Sequence, residues 1–381
     1  TSFFTTEPAE QLSELLIQHV PGNLDRVYFV SGGSEAIEAS LKLCRQYFLE
    51  INQPQRSHVI ARRQSYHGNT LGALSAGGNQ WRRQPFEPLL TSSVSHISPC
   101  YHYRGAELDE SPEEYGLRVA DELETEILRV GPERVAAFLA EPVVGATLGA
   151  VPPVRGYFQR IREICDQYGV LLVLDEVMCG MGRTGSLFAC EQEGLAPDVM
   201  CIAKGLGAGL QPIGAMLCTD TIYQAIAQGS GFFQHGHTYQ GHPTACAAGF
   251  AVLQELLSQN LPAQVKEKGE RLHQDLRHHF ADHPYVGDVR GRGLFLGIEL
   301  VRNKETKEPL HTTFNLPEQI RQTAMQQGLL CYPMGGTIDG RRGNHILLAP
   351  PFIISDVELD QVVDRLSSTL SAILPVLNKA A

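Results

Sequence analysis

No apolar run in this chain is long enough to cross a bilayer, and its first residues, Thr-Ser-Phe-Phe, do not begin a signal segment. An initiating Met is missing too, which leaves a processed or trimmed start as the expectation. Cation-rich stretches are absent: 31 Lys and Arg stand against 42 Asp and Glu, the net charge is −11, and the basic residues are scattered. Such a balance keeps a protein soluble and argues against nucleic acid or an anionic membrane as a partner held by a broad basic patch. No CxxC pair or His-rich cluster has the spacing of zinc ligands, so no metal centre is expected. The nine cysteines lie singly, as in Leu43-Cys44-Arg45 and Met200-Cys201-Ile202. They read as reduced, mostly buried thiols of a cytoplasmic protein. Internal repeats and low-complexity segments are lacking as well.

What is present is an ordinary globular composition, 43% hydrophobic with 37 Gly and 22 Pro, in 381 residues. That length exceeds what one core usually serves, so two domains are expected. Strand-like runs at Arg26 to Val30, His58 to Ala61, Val135 to Ala140, Val170 to Leu174, Val199 to Ala203 and Gly214 to Cys218 alternate with helical patterns. Two such helices run from Glu35 to about Tyr47 and from Gly156 to Tyr168. The alternation predicts an α/β domain on a mostly parallel sheet buried on both faces. Near Gln254 to Leu261 the texture changes. A charged helix over Pro262 to Phe280 leads to strands at Val286 to Arg290 and Phe295 to Leu300. A helix near Glu318 to Gln327, strands at Leu329 to Tyr332 and His345 to Leu348, and a terminal helix after Ser355 complete a smaller α+β domain. The expected division is 1–257 and 258–381, with Gly335 to Asn344 as a Gly- and Arg-rich loop.

Five local patterns carry chemistry. Val170-Leu-Leu-Val-Leu-Asp175-Glu176 ends a buried strand in two carboxylates, at the sheet edge where α/β ligands bind. Such an acid holds a metal, pairs with a protonated ring nitrogen, or merely caps the next turn. Lys204 follows an apolar run and sits between Ala203 and Gly205. Little shields its ammonium there, and partial desolvation makes an amine nucleophilic toward an aldehyde; a lone Lys is otherwise a surface residue. Ser31-Gly32-Gly33-Ser34 joins a strand to a helix, where free N–H groups bind phosphate or Ser34 acts as an N-cap. Tyr66 and His67 offer a flat surface to a planar ring, or ordinary packing. Thr238, in a Gly-flanked polar loop, gives a hydroxyl to phosphate or caps the turn.

Together the five suit pyridoxal 5'-phosphate, which needs an amine, an acid, phosphate donors and an aromatic cover. The order Gly-Ser-Glu-Ala, Tyr-His-Gly, Glu-Pro-Val, Asp-Glu-Val, Ala-Lys-Gly-Leu and His-Thr-Tyr-x-Gly-x-Pro resembles the class III (ω-type) aminotransferases, from about Val27 to the end. The resemblance implies the fold-type-I architecture, with a large domain and a smaller C-terminal one. It implies that Lys204 forms the Schiff base with the cofactor and then moves the substrate proton. Asp175 would pair with the ring nitrogen, Val177 and Tyr66 would cover the two ring faces, and His67 would lie beside Tyr66. Gly32, Gly33 and Ser34 would hold the phosphate, with Thr238 reaching it from the other subunit of a homodimer. Glu141 matches a position near the substrate side, and Tyr66 also faces substrate. Two departures stand out. Family members usually carry some further residues before the point where this chain starts. Many also have an Arg where this chain has Leu347, before Ala349-Pro350-Pro351.

The expected reaction is ping-pong transfer of an amino group from an amine or ω-amino acid to a small 2-oxo acid. Alternatives are another reaction of the same cofactor (aminomutase, racemase or decarboxylase), or an α/β protein in which Asp175 and Glu176 hold a cation. One pocket must accept both a carboxylate-bearing acceptor and an uncharged donor tail, which suits a mobile Arg. Arg342, or failing that Arg341, in the loop Asp339-Gly-Arg-Arg-Gly343, is the candidate; the other reading is a solvated loop.

Overall fold

The computed structural model describes residues 4–378. How the chain begins turns on residues 1–3, outside the described residues. Seven strands form one sheet: β1 (Leu24–Val30), β2 (His58–Arg62), β3 (Val94–Ile97), β4 (Val135–Ala140), β5 (Leu171–Asp175), β6 (Val199–Ile202) and β7 (Gly214–Thr219), in the order β1-β7-β6-β5-β4-β2-β3. Strand β7 runs antiparallel to both β1 and β6, and every other pairing is parallel. Every residue of β4, β5 and β6 is buried. Alternation explains the continuous apolar runs. Phe138, Leu172 and Leu174 pack into one core, while Leu139 and Val173 pack into another on the opposite face.

A second sheet, antiparallel throughout, has the order β10-β11-β9-β8. Its strands are β8 (Val286–Arg292), β9 (Phe295–Leu300), β10 (Tyr332–Gly335) and β11 (Asn344–Leu348). Helices Leu261–His279, Leu316–Gln326 and Asp356–Asn378 accompany it, and Val265, Leu276, Ile298, Ile320 and Leu366 share its core. The architecture is therefore α/β with a mostly parallel central sheet plus a small antiparallel-sheet domain.

Some elements differ from the sequence reading. The strand expected at Leu329 to Tyr332 lies at Tyr332–Gly335, because Gly328 (φ +76°) ends the preceding helix and the chain needs three residues to reach the sheet. Strand β3 and the helices Glu7–Ile17 and Pro112–Val130 were not anticipated. Ser34 is not the N-cap of its helix. The helix runs Gly33–Glu50 behind an extended Gly32, and the Ser34 hydroxyl instead bonds Asn69. All nine cysteines are unpaired, eight of them buried and Cys331 partly so. No helix of the described residues is long and apolar enough to cross a membrane.

Candidate active site

The carboxyl ends of parallel strands gather polar residues at one edge of a sheet. Here Ser31 follows β1, Glu141 follows β4, Asp175 closes β5, and Lys204 comes two residues after β6. Tyr66 and His67 lie just past β2. All of these line one cavity of about 420 Å³, together with Gly32, Gly33, Ser34 and Val177. Its size falls in the range of small-ligand pockets, about 300–1,000 Å³.

The Asp175 carboxylate is held on two sides. Oδ2 accepts from His67 Nδ1 at 2.8 Å and Oδ1 accepts from the Val177 amide at 3.0 Å. Each oxygen keeps a lone pair for a further donor. Nε2 of the buried His67 has no partner among the described residues. Glu141 accepts from the amides of Tyr66 (3.2 Å) and Gly145 (2.8 Å). Burial raises the Glu141 pKa, while the neighbouring His67 opposes the shift and Asp175 adds to it.

The segment that carries Glu141 is pinned from the small domain. His345 Nε2 bonds Ala146 O at 2.9 Å and its Nδ1 faces the Thr337 hydroxyl at 2.7 Å. Burial pulls the His345 pKa down to about 3, so the ring is neutral and donates through Nε2. Leu347 sits in an apolar cluster with Val143, Ala150 and Phe295 beneath this segment.

The anion side of the cavity is backbone. The first amides of the helix Gly33–Glu50 have no intrahelical acceptor. A side chain at Gly33 would lie 2.9 Å from Val177 Cγ1, so only glycine lets this helix start approach the Val177 wall. Opposite it, Lys204 has φ +41°, a left-handed conformation uncommon outside glycine and frequent at functional sites. The small neighbours Ala203 and Gly205 suggested a lysine that little shields, partly desolvated beside a ligand; in this chain Lys204 is exposed. The turn that follows it explains this, since residues 208–211 are exposed and leave the amine facing an open side of the cavity.

Glu176 turns away from its neighbour Asp175. It is fully buried, and its two oxygens accept from the amides of Ala189 and Cys190, each at 2.8 Å. The pair therefore does not converge on a cation, and no cluster of three or more His, Cys, Asp or Glu among the described residues could hold a metal. Burial pushes the Glu176 pKa up to about 7, against an ordinary value of about 4.3. The folded state then binds more protons than the unfolded one between these values. Its contribution is present below the lower value and is lost as pH rises through about 7, on the order of 3 kcal/mol in all. Glu176→Gln removes this titration. The stability advantage of the native protein over the variant is expected to be largest at pH 5 and to shrink by pH 8. Thermal melts of both proteins across that range check it, and a constant difference would refute it.

Three expected residues stand outside the cavity. Thr238 is exposed, next to Tyr239 of an adjoining cavity that shares Ser31, Gln211, Pro212 and Ile213 with the first. Arg342 is exposed and pairs with Asp339 (2.7 Å), and Arg341 bonds Gln84 Oε1 (3.1 Å). The sequence reading missed Met178, Gln211 and Pro212 as lining residues. The Gly207 to Pro212 stretch just after Lys204 was the available signal for the last two.

Comparison with known proteins fits this geometry. The chain matches the family described as Aminotransferase class-III over residues 1–370. It is 47% identical to an uncharacterized aminotransferase of Schizosaccharomyces pombe, over 98% of this chain and 82% of that protein. A putrescine–pyruvate aminotransferase of Pseudomonas aeruginosa is 36% identical over 98% of this chain and 80% of its own. Among solved structures, an (S)-enantioselective omega-transaminase from Thermomicrobium roseum superposes with a TM-score of 0.91 at 37% identity, covering 97% of this chain and 80% of that one. The omega transaminase of Pseudomonas jessenii in complex with PMP gives 0.92 at 32%, covering 99% and 82%.

Proposed function

The chain belongs to the class III aminotransferases, and on that premise we propose that it moves an amino group from an amine or ω-amino acid to a small 2-oxo acid. One observation carries the reading: Lys204 and Asp175 lie on the walls of one small cavity that also holds a glycine-opened helix start. The relative named for putrescine and pyruvate supports both substrate classes.

Class III aminotransferases depend on pyridoxal phosphate, and the residues present suit it. The amides at Gly33 and Ser34 suit its phosphate, the free lone pairs of Asp175 its ring nitrogen, and the Lys204 amine its aldehyde. The bound cofactor supplies a ring that accepts the electrons left when the substrate carbon loses its proton. The protein's own residues do the rest. Lys204 would hold the cofactor through its aldehyde, and its amine would carry the proton from the substrate carbon. Asp175 would keep a proton on the ring nitrogen, and His67 keeps Asp175 in place. Val177 and Tyr66, both on the cavity wall, would confine the ring. A screen of amine donors against pyruvate and 2-oxoglutarate tests the reading. Formation of product amine without any oxo acid would refute it in favour of another reaction on the same cofactor.

The reading includes a homodimer in which Thr238 of the partner subunit completes the phosphate site. Thr238 and Tyr239 are exposed in the single chain, as a residue that reaches across must be. Activity should therefore fall as the protein is diluted below its dimer dissociation constant. Sedimentation and assay on the same dilution series check this; a fully active monomer contradicts it.

A further inference from the structure

Arg82 carries a charge that nothing in the described chain neutralises. Its guanidinium carbon lies 4.6 Å from the centroid of the Tyr66 ring and 5.7 Å from that of Trp81. The side chain is partly buried, and its Nε is shielded from water with no hydrogen-bond partner among the described residues. The neighbouring Arg83 is a contrast, since it spends its Nη1 on the carbonyls of Leu74 (3.1 Å) and Gly77 (2.7 Å). Ring stacking offsets only part of the desolvation of a guanidinium. An anion beside Arg82 would offset the remainder.

The position is built, not incidental. Gly78 crosses β2 so closely that a Cβ there would lie 2.1 Å from Arg62 O. Its amide bonds Ser65 O (3.2 Å) and Ser65 Oγ (3.1 Å). Asn79 caps the Arg82 amide (3.2 Å) and donates to Gln64 Oε1 (3.2 Å). Gln64 in turn donates to Gly336 O at 2.6 Å. The backbone of Arg82 is thus tied to the residues immediately before Tyr66, which lines the cavity. Among the described residues the cavity is lined by two acidic side chains, Asp175 and Glu141, and one lysine, Lys204. A substrate carboxylate is repelled from that interior and drawn to its Tyr66 edge.

We propose that Arg82 binds the carboxylate of the oxo acid acceptor, and of the amino acid made from it, at the Tyr66 edge of the cavity. The inference rests on the transaminase reading above. It differs from a role for Arg341 or Arg342: none of the three lines the cavity, but those two have Gln84 and Asp339 as partners, whereas Arg82 stacks on Tyr66, which does line it.

The test uses the holoenzyme with the best amine donor from the screen, and pyruvate or a carboxylate-free aldehyde as acceptor. Arg82→Gln, Arg82→Lys, Arg341→Ala and Arg342→Ala are compared with the native protein. A charge-assisted bond of the usual strength corresponds to about a tenfold to hundredfold change in affinity. The ratio of the KM for pyruvate to the KM for the aldehyde should rise by about that factor in Arg82→Gln, with partial recovery in Arg82→Lys. The two loop variants should keep the native ratio. Equal loss of kcat with both acceptors would mean that Arg82 only steadies Tyr66, and overturns the proposal. So does a shift of the ratio in Arg342→Ala or Arg341→Ala alone, or a weakened dimer with an unchanged ratio in Arg82→Gln. If the native protein transfers no amino group from any donor, the transaminase reading itself falls, and this inference falls with it.

Discussion

Lys204→Ala should leave a folded protein with turnover reduced by at least about a thousandfold, the upper part of the range for removing one positioned proton carrier. Lys204 is the sole lysine lining the cavity among the described residues, so no amine described there can replace it. The fold should hardly notice. Lys204 is exposed, and no hydrogen bond or ion pair binds its ammonium among the described residues. Its strain lies in the backbone, where φ is +41°, and an alanine meets the same strain because it keeps the Cβ. Lys204→Gly should therefore be the more stable of the two inactive variants, by up to about 1 kcal/mol. Melting curves, cofactor content and an assay at saturating donor separate these effects. The native protein should show a visible absorption band that borohydride abolishes with covalent labelling at Lys204. Near-native turnover by either variant would remove Lys204 from the chemistry.

Much of this site was legible because its residues sit in locally telling surroundings. Asp175 follows the apolar run Val170 to Leu174, which is too short for a helix and reads as a buried strand; in the structure every residue of that strand is buried. Strand β4 was read to the residue for the same reason, since both of its faces are covered. Strand β3 escaped notice because it lies at the sheet edge and its sequence, Val-Ser-His-Ile, is half polar. Strand β10 was misplaced by three residues. It contains Pro333 and Gly335, which speak against a strand, and only its place at the edge of the small sheet makes them tolerable. The helix Pro112–Val130 was missed although Ser111 and Glu114, the two ends of a capping box, stand in the sequence at its start. Contacts between distant segments were a different matter. Nothing near His67 indicates that its ring meets Asp175, 108 positions further on. Trp81-Arg82-Arg83 resembles any surface pair of cations until Gly78 folds it back over the residues around Tyr66.

Asp175→Asn is expected to lower kcat by at least about a hundredfold, the scale of losing one preorganised electrostatic partner, with little loss of stability. The hydrogen bonds explain why the two effects separate. Asp175 receives one donor on each oxygen, His67 Nδ1 and the Val177 amide. An asparagine can keep its oxygen toward Val177 and turn its NH2 toward His67. That arrangement sets two donors face to face only if His67 keeps its proton on Nδ1. A neutral imidazole can move the proton to Nε2, which has no competing partner among the described residues. The side chain then stays in place with its bonds intact, and what is lost is the negative charge. Without that charge a proton on the cofactor's ring nitrogen would not be held, and the ring would accept the substrate's electrons less well. The proposed partner of Asp175 is the ring nitrogen and not either substrate, so the loss should fall chiefly on kcat, with smaller changes in the KM values. Steady-state kinetics with saturating donor, alongside a melting curve and a measurement of bound cofactor, check each part. A variant that retains near-native kcat would show that Asp175 only shapes the cavity. One that loses cofactor or melts many degrees lower would show that His67 cannot change its tautomer.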